Sequence, residues 1–327
     1  MSEQETNRVP NAFFWLIITS GSILHATTHM HTHFPYSDSL PFDDDEGKLL
    51  GKLKRKKVTV VGMGNVGLAC VASILNQGIC GSIPMIDQNK EKLEGEAKDF
   101  QHGAGFHKWM KILASTEYDV SADSDLVVVT AGAAQKPGES RLSLLERNVA
   151  ILQSIIPRVL EQSPDAAIVI ASNSCDIMAA VAAKIAGPSF PQGKIFGTGT
   201  NLDSSRFQTI IARSMGLDPN SIHGYIIGEH GDSSIPVWSS VRIGALPLLP
   251  SGEGPCDTLK AVHKSVVDAA CDVINLKGYT NWAIGMSTAN IASIEQSFRC
   301  LPAYGVCTGW KTMSFYRYPA FWREKEC

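Results

Sequence analysis

The chain holds no CxxC pair, no basic field, no hydrophobic run long enough to cross a bilayer, and no internal repeat or low-complexity tract. Each absence excludes something. Its eight cysteines (Cys70, Cys80, Cys175, Cys256, Cys271, Cys300, Cys307 and Cys327) have no regular spacing, and several fall inside apolar runs where a reduced thiol packs as a small hydrophobe. That argues against a disulfide framework and for a reducing cytosol. A formal net charge of -3 gives no electrostatic field to recruit nucleic acid or anionic membrane, leaving small-molecule chemistry as the expectation. The apolar run Ala12–Ile18 is too short to span a membrane, and the leader before it carries Glu3 and Glu5 against a single Arg8, with no small-x-small cleavage site after it. Neither a signal nor an anchor is expected there. His25, His29, His31 and His33 follow among prolines and Asp43–Asp45 with no scaffold to fix ligand geometry, so no metal site is expected. Residues 1–55 read as a mostly irregular tail.

What the chain does contain begins with Gly62-Met63-Gly64-Asn65-Val66-Gly67, directly after the apolar run Val58–Val61. In that context Gly62 permits the tight turn off a strand, Gly64 lets the backbone approach a pyrophosphate, and Gly67 lets the next helix pack closely on the sheet. Asp87 stands twenty residues beyond the last glycine, at the end of Ile83–Ile86. A carboxylate there accepts hydrogen bonds from the adenosine ribose hydroxyls and repels a 2′-phosphate, which predicts NAD rather than NADP.

Short β-branched runs then alternate with longer amphipathic segments, predicting a Rossmann-type doubly wound parallel sheet, an α/β fold. Strands are predicted at Val58–Val61, Ile83–Ile86, Leu126–Thr130 and Ala167–Ala171. Ligands bind at the carboxyl ends of such strands, so Thr130-Ala131-Gly132 and Ser172-Asn173 fall at the cofactor crevice. Between them the polar, turn-forming stretch Ala134–Ser140 suits a mobile lid before a helix over Leu142–Leu160. After Gly197 the texture changes to long helical patterns at Asn201–Met215 and Thr258–Leu276 around a strand-like Tyr225–Ile227. The expected organisation is therefore the tail, an NAD-binding domain over 56–198, and an α+β substrate domain over 199–327.

The chemistry gathers in the second domain. His230 lies in the turn Gly228-Glu-His230-Gly-Asp232 after an apolar strand, where an imidazole can exchange a proton near neutral pH. Asp203 and Arg206 are three apart on one helical face, the first able to hold the imidazole and the second to grip a carboxylate with a bidentate fork.

Six motifs in order carry a resemblance: GMGNVG, Asp99-Phe-Gln-His-Gly103, Gly138-Glu-Ser-Arg141, Gly197-Thr-Gly-Thr-Asn-Leu-Asp203, Gly228-Glu-His-Gly-Asp-Ser-Ser234 and Lys277-Gly-Tyr-Thr-Asn-Trp-Ala-Ile-Gly285. Over residues 56–296 the chain resembles the L-lactate dehydrogenases of the lactate/malate dehydrogenase superfamily. The resemblance implies a cytoplasmic homo-oligomer, a tetramer, interconverting L-lactate and pyruvate with NAD. It makes His230 the proton donor and acceptor, Asp203 its partner, Arg206 the carboxylate clamp and Arg141 the group that polarises the substrate carbonyl. Asn173 and Thr280 would line the same pocket, and Ile284 would lie against the nicotinamide. Gln135 would face the substrate side chain, where related malate dehydrogenases carry arginine for the second carboxylate of oxaloacetate.

Three departures qualify this. Ser174-Cys175 replaces a Pro-Val pair beside Asn173, Ala134 replaces a polar or basic cofactor contact, and Gln208 replaces the arginine of the sugar-bisphosphate-regulated bacterial enzymes, predicting no such activation. After about Ser297 the likeness fades, so the closing strands and terminal helix of the family are expected to be missing and apolar surface exposed. That shortening motivates an alternative, an inactive NAD-binding relative with a structural or partner-binding role. A malate dehydrogenase is the other alternative, against which Gln135 argues. Substituting Gln135→Arg supplies a cation for the second carboxylate and leaves it unpaired against a methyl group, so the ratio of kcat/KM values should move from pyruvate toward oxaloacetate. An unmoved ratio would show that Gln135 does not face the substrate side chain.

Overall fold

The computed structural model describes residues 56–300 apart from 108–109, 134–139, 192 and 251, with the side chains of Arg141 and 295–300 also undescribed. The readings of the tail, of the lid with Gln135, and of the chain beyond Cys300 lie outside the described residues.

Six parallel strands form one sheet: β1 (Val58–Val61), β2 (Ser82–Ile86), β3 (Lys111–Ser115), β4 (Leu126–Val129), β5 (Ala167–Ile170) and β6 (Ile195–Gly197), in the order β3-β2-β1-β4-β5-β6. The chain crosses from one edge of the sheet to the middle between β3 and β4, and the crevice at that reversal is where an α/β sheet takes its ligand. Helices α1 (Asn65–Gln77), α2 (Lys90–His102), α3 (Arg141–Gln162) and α4 (Cys175–Ala186) connect the strands.

The β-branched runs are buried on both faces. Leu126 and Val128 join a core with Val58, Val60, Ile83 and Met85, whereas Val127 and Val129 join another with Val61, Ile86, Ile168 and Ile170. Period-two alternation thus sends neighbouring residues of one strand into different cores, and each full burial of such a side chain contributes about 1.5–3 kcal/mol.

Four of the six strands match the predicted runs, with corrected ends: β4 and β5 stop one residue early, and β2 begins one early. Thr130 and Ala171 lie just past their strands, their amides still donating to Val61 and Val129 as the chain turns away. The edge strand β3 and the short β6 were not anticipated. Lys111 is exposed and Gly197 closes a three-residue strand, so neither presents the long β-branched run that marks the inner strands.

Beyond β6 come α5 (Asn201–Met215), small antiparallel strands β7 (Ile222–His223), β8 (Ile226–Ile227), β9 (Ile235–Pro236), β10 (Arg242–Ile243) and β11 (Leu246–Pro247), then α6 (Asp257–Lys277) and α7 (Trp282–Cys300). Tyr225, expected in a strand, precedes β8 and is half exposed. A separate core of Phe207, Ile211, Ile222, Ile226, Val241, Val262 and Val266 fills the space between α5, α6 and these strands, with Trp238 edge-on to Phe207 at 5.1 Å between ring centroids. The helix α7 returns to the first sheet, where Ala289, Ile291 and Ala292 join the core beside α1.

That return depends on Gly285. A Cβ there would lie 2.6 Å from the backbone carbon and oxygen of Ala69 on α1. Alanine favours a helix over glycine by about 1 kcal/mol, but overpacking against backbone costs about 1–3 kcal/mol and the backbone cannot swing aside. Gly285→Ala should therefore lower the midpoint of thermal unfolding by a few degrees; a raised midpoint would show that α7 and α1 have room to part.

Candidate active site

The glycine turn is built as the motif requires. Gly62 has φ +98°, and its amide donates to Ile86 at 2.7 Å. A Cβ on Gly67 would meet the Gly62 carbonyl oxygen at 1.8 Å, so α1 packs on the turn only with glycine there. Thr130 fixes the same carbonyl: its hydroxyl donates to the Gly62 oxygen at 2.7 Å. The threonine hydroxyl is thereby engaged in shaping the turn, not in presenting a free donor to a ligand. Nothing lies within 4 Å of the place where a Cβ on Gly64 would be, and α1 starts there without a side-chain cap. Open space, exposed Asn65 and the positive end of a thirteen-residue helix together could serve as a seat for an anionic diphosphate.

Asp87 faces this seat. Its Oδ2 accepts from the Met63 amide at 2.6 Å and its Oδ1 from the Asn89 amide at 2.9 Å. A carboxylate has about four lone-pair positions, so two amides leave capacity for a ribose diol. The Met63 side chain is buried in the core, which limits its part in the site to backbone. Lys92 donates to the Met63 carbonyl at 3.1 Å and closes the loop from the other side.

On the opposite lip, Asn148 ties two crevice segments. Its Oδ1 accepts from the Ala133 amide at 2.8 Å, and its Nδ2 donates to the Asn173 carbonyl at 3.2 Å. Ser172 adds a bond to the Ala131 carbonyl at 2.6 Å, beside Gly132. Asn173 itself is exposed, its carbonyl anchored from within despite Ser174 in the place of proline.

His230 is positioned by α5. Thr200, Ser204 and Gln208, four residues apart on one face, bond the backbone of the incoming strand: Thr200 Oγ1 donates to Ile226 at 2.7 Å, Ser204 Oγ accepts from the Ile226 amide at 3.0 Å, and Gln208 Nε2 donates to Gly224 at 2.9 Å. Clamping β8 in this way carries the loop between β8 and β9 to the neighbouring face of α5, where Asp203 waits. Asp203 Oδ2 meets His230 Nδ1 at 2.5 Å, and Asp203 Oδ1 accepts from Arg206 at 2.9 Å. The Asp203 side chain is only 7% exposed, Arg206 17% and His230 30%. The sequence-predicted trio is therefore assembled on one carboxylate at the amino end of α5, where the helix dipole favours its charge.

The hydrogen bond that Asp203 accepts holds the His230 pKa above its ordinary value; burial and the Arg206 guanidinium oppose this without reversing it. With Nδ1 committed to Asp203, Nε2 is the nitrogen left to exchange a proton. Arg206 was expected to grip a substrate carboxylate, and here one of its amino groups bonds Asp203 instead. The two roles are compatible, because a guanidinium has five N–H donors in a rigid fork.

Thr280 and Ile284 come from the turn and helix that return to α1, and both are half buried. Lys277 braces that turn, with its ammonium 2.5 Å from Asn281 Oδ1 and 4.5 Å from the centre of the Tyr279 ring. Arg141 opens α3, its side chain outside the described residues. Asp176 was not anticipated: its Oδ2 accepts from the His230 amide at 2.9 Å. Neither Asp176 nor Asn148 was given a role from the sequence, since one acid in a helix's first turn and one amide in an amphipathic helix are common structural features. Among the described residues no group of histidine, cysteine and carboxylate side chains has the arrangement to hold a metal ion.

Comparison with known proteins agrees with this geometry. Residues 56–197 match the family described as lactate/malate dehydrogenase, NAD binding domain, and residues 200–309 match lactate/malate dehydrogenase, alpha/beta C-terminal domain. The chain is 50% identical over 242 residues to the L-lactate dehydrogenase A chain of Sphyraena argentea, covering 72% of each. The A chain of Lycodichthys dearborni is 49% identical over 242 residues, again 72% of each. The L-lactate dehydrogenase B chain of Sceloporus undulatus is 48% identical over 241 residues, 72% of this chain and 71% of that one.

Proposed function

The chain belongs to the lactate/malate dehydrogenase family, and from that premise we propose that it is an NAD-dependent oxidoreductase interconverting L-lactate and pyruvate. The observation that carries this reading is the single Asp203 carboxylate holding both an imidazole and a guanidinium, with the imidazole's own backbone amide bonded to Asp176, three residues after Asn173. A 2-hydroxy acid presents one carboxylate and one exchangeable hydroxyl proton, which are the two things this pair can serve. The inactive relative and the malate enzyme gain no support from the comparisons.

The open ground above Gly64, the uncapped start of α1 and the spare lone pairs of Asp87 fit a dinucleotide without a 2′-phosphate. Gly62, Met63, Gly64, Asn65, Val66 and Gly67 would hold its diphosphate, Asp87 its ribose, and Ala131, Gly132, Asn173 and Ile284 would shape its nicotinamide end. NAD, when bound, supplies the hydride acceptor, and in its reduced form the hydride donor.

The remaining chemistry belongs to the protein. His230 at Nε2 takes the hydroxyl proton of lactate, and in the other direction gives it to the carbonyl oxygen of pyruvate. A raised pKa keeps imidazolium populated for the reductive direction, while Asp203 holds the ring and balances its charge. The donors of Arg206 not used by Asp203 take the substrate carboxylate. Arg141 is assigned the oxygen on which negative charge builds, where a preorganised cation is most effective. Asn173 and Thr280 complete the pocket wall, and the resemblance assigns Gln135, outside the described residues, to the substrate's methyl group.

Among the described residues no helix is long and apolar enough to cross a membrane. We extend the reading to a cytoplasmic homo-oligomer, a tetramer by resemblance to the family. Buried reduced thiols at Cys70, Cys80 and Cys175 suit the first, and exposed apolar side chains at Phe106, Leu246, Leu276 and Trp282 suit the second. The organisation into an NAD-binding domain over 56–198 and a substrate domain from 199 remains part of this proposal, supported by the separate core around Phe207.

His230→Gln should abolish most pyruvate turnover while leaving NADH binding within about twofold, because general acid catalysis is worth about two to four orders of magnitude and the imidazole contributes little to cofactor binding. A loss below about tenfold would remove His230 from the chemical step. A wild-type chain that binds NADH yet is silent with pyruvate would defeat the functional reading itself.

A further inference from the structure

We infer that Asp176 is a positioning residue for His230: its carboxylate fixes the backbone of the proton-exchanging loop while Asp203 fixes the ring. The inference rests on His230 having the role proposed above.

Asp176 is the second residue of α4, and its Oδ2 lies 2.9 Å from the His230 amide nitrogen, which donates to it. The two residues are 54 apart in the chain. His230 thus has an acidic partner on each of two different helices, one at its amide and one at its Nδ1.

The loop needs such a tether. It runs between strands of only two residues each, and Gly228, with φ +91°, and Gly231 flank the Glu229-His230 pair, so its own conformational preference is weak. Its other side-chain bonds join loop residues to one another or to α6: Ser233 Oγ donates to Glu229 Oε2, and Ser234 Oγ meets His263 Nε2 at 3.1 Å. Asp176 is the partner described at the His230 backbone itself. The Asp203 hydrogen bond sets the ring orientation about the side-chain torsions but leaves the Cα free to shift, and a shift of about 1 Å at a reacting atom can cost about a hundredfold in rate. A carboxylate on the amide removes that freedom.

The placement of Asp176 also ties the loop to the substrate pocket. Asn173 is three residues earlier at the same helix start, and the Cys175 backbone between them packs against Gly197 at the end of β6, from which the chain leads into α5 and Asp203. The wall of the pocket, the backbone of the loop and the partner of the ring are thereby referenced to one another.

An acid in the first turn of a helix also favours its dipole, so the test must separate that charge from the hydrogen bond. Asp176→Ala removes both; Asp176→Asn removes the charge and keeps an oxygen acceptor of the same reach. In the full-length protein with NADH, Asp176→Ala should lower kcat for pyruvate by about tenfold or more. It should also speed amide hydrogen exchange across 228–234 and leave the Kd for NADH within about twofold. Asp176→Asn should retain kcat within about threefold and keep the exchange protection. If Asp176→Ala fails to fold, Asp176→Ser replaces it, keeping a polar residue in the first turn with too short a reach. Equal losses in the alanine and asparagine variants would assign Asp176 to the helix charge and overturn the inference. So would an alanine variant with wild-type kcat and unchanged exchange. A silent wild type would defeat the functional reading instead, and the exchange data alone would then decide the tether.

Discussion

Asp203 is the constraint on which the site depends. One carboxylate, 7% exposed, receives Arg206 on one oxygen and His230 on the other. A buried carboxylate without such partners would lose hydration with nothing in return, a cost of several kcal/mol that drives protonation. With them it sits at a helix start and orients two groups of opposite duty. The same feature explains why the surrounding polar side chains are so fully used. Thr200, Ser204 and Gln208 hold the strand that delivers His230, and Asp176 holds the loop, so the imidazole arrives at Asp203 from a braced frame.

The parts come from distant stretches of the chain, which makes the packing between them functional. The glycine turn belongs to β1 and α1, the crevice lip to β4 and β5, the imidazole to the β8–β9 loop. The helix α7 brings Ile284 back beside α1 through the close approach of Gly285 to Ala69. Asn201 ties the start of α5 to the same helix α7, its Nδ2 donating to Ser287 Oγ at 2.8 Å.

Much of this was legible in the sequence because it rests on local rules. The four inner strands are β-branched runs buried on both faces, and the spacing from Gly62 to Asp87 follows from the geometry of one β-α-β unit. The helix bounds at Asn201–Met215 were readable because Gly216, in the left-handed region, ends a regular apolar period. Asp203 and Arg206 were legible as a pair because three residues separate them on a helix. The edge strand β3 and the short β6 were not, since an exposed Lys111 and a terminal glycine break the pattern that marks a buried strand. The roles of Asp176 and Asn148 were unreadable for another reason: their partners are backbone amides and carbonyls, and backbone has no sequence. Thr130 was read as lying at the cofactor crevice, and the bond of its hydroxyl to the Gly62 carbonyl is a further duty that only the folded turn reveals.

The most direct test of the Asp203-centred account is the proton titration of His230, followed by NMR of the imidazole in the wild type and in Asp203→Asn. The hydrogen bond and charge of Asp203 raise the wild-type value above the ordinary 6.5, so the ring should stay protonated to higher pH than a free histidine, and the variant should titrate at lower pH than the wild type. A wild-type His230 titrating at or below 6.5, or one unmoved by the loss of Asp203, would contradict the account.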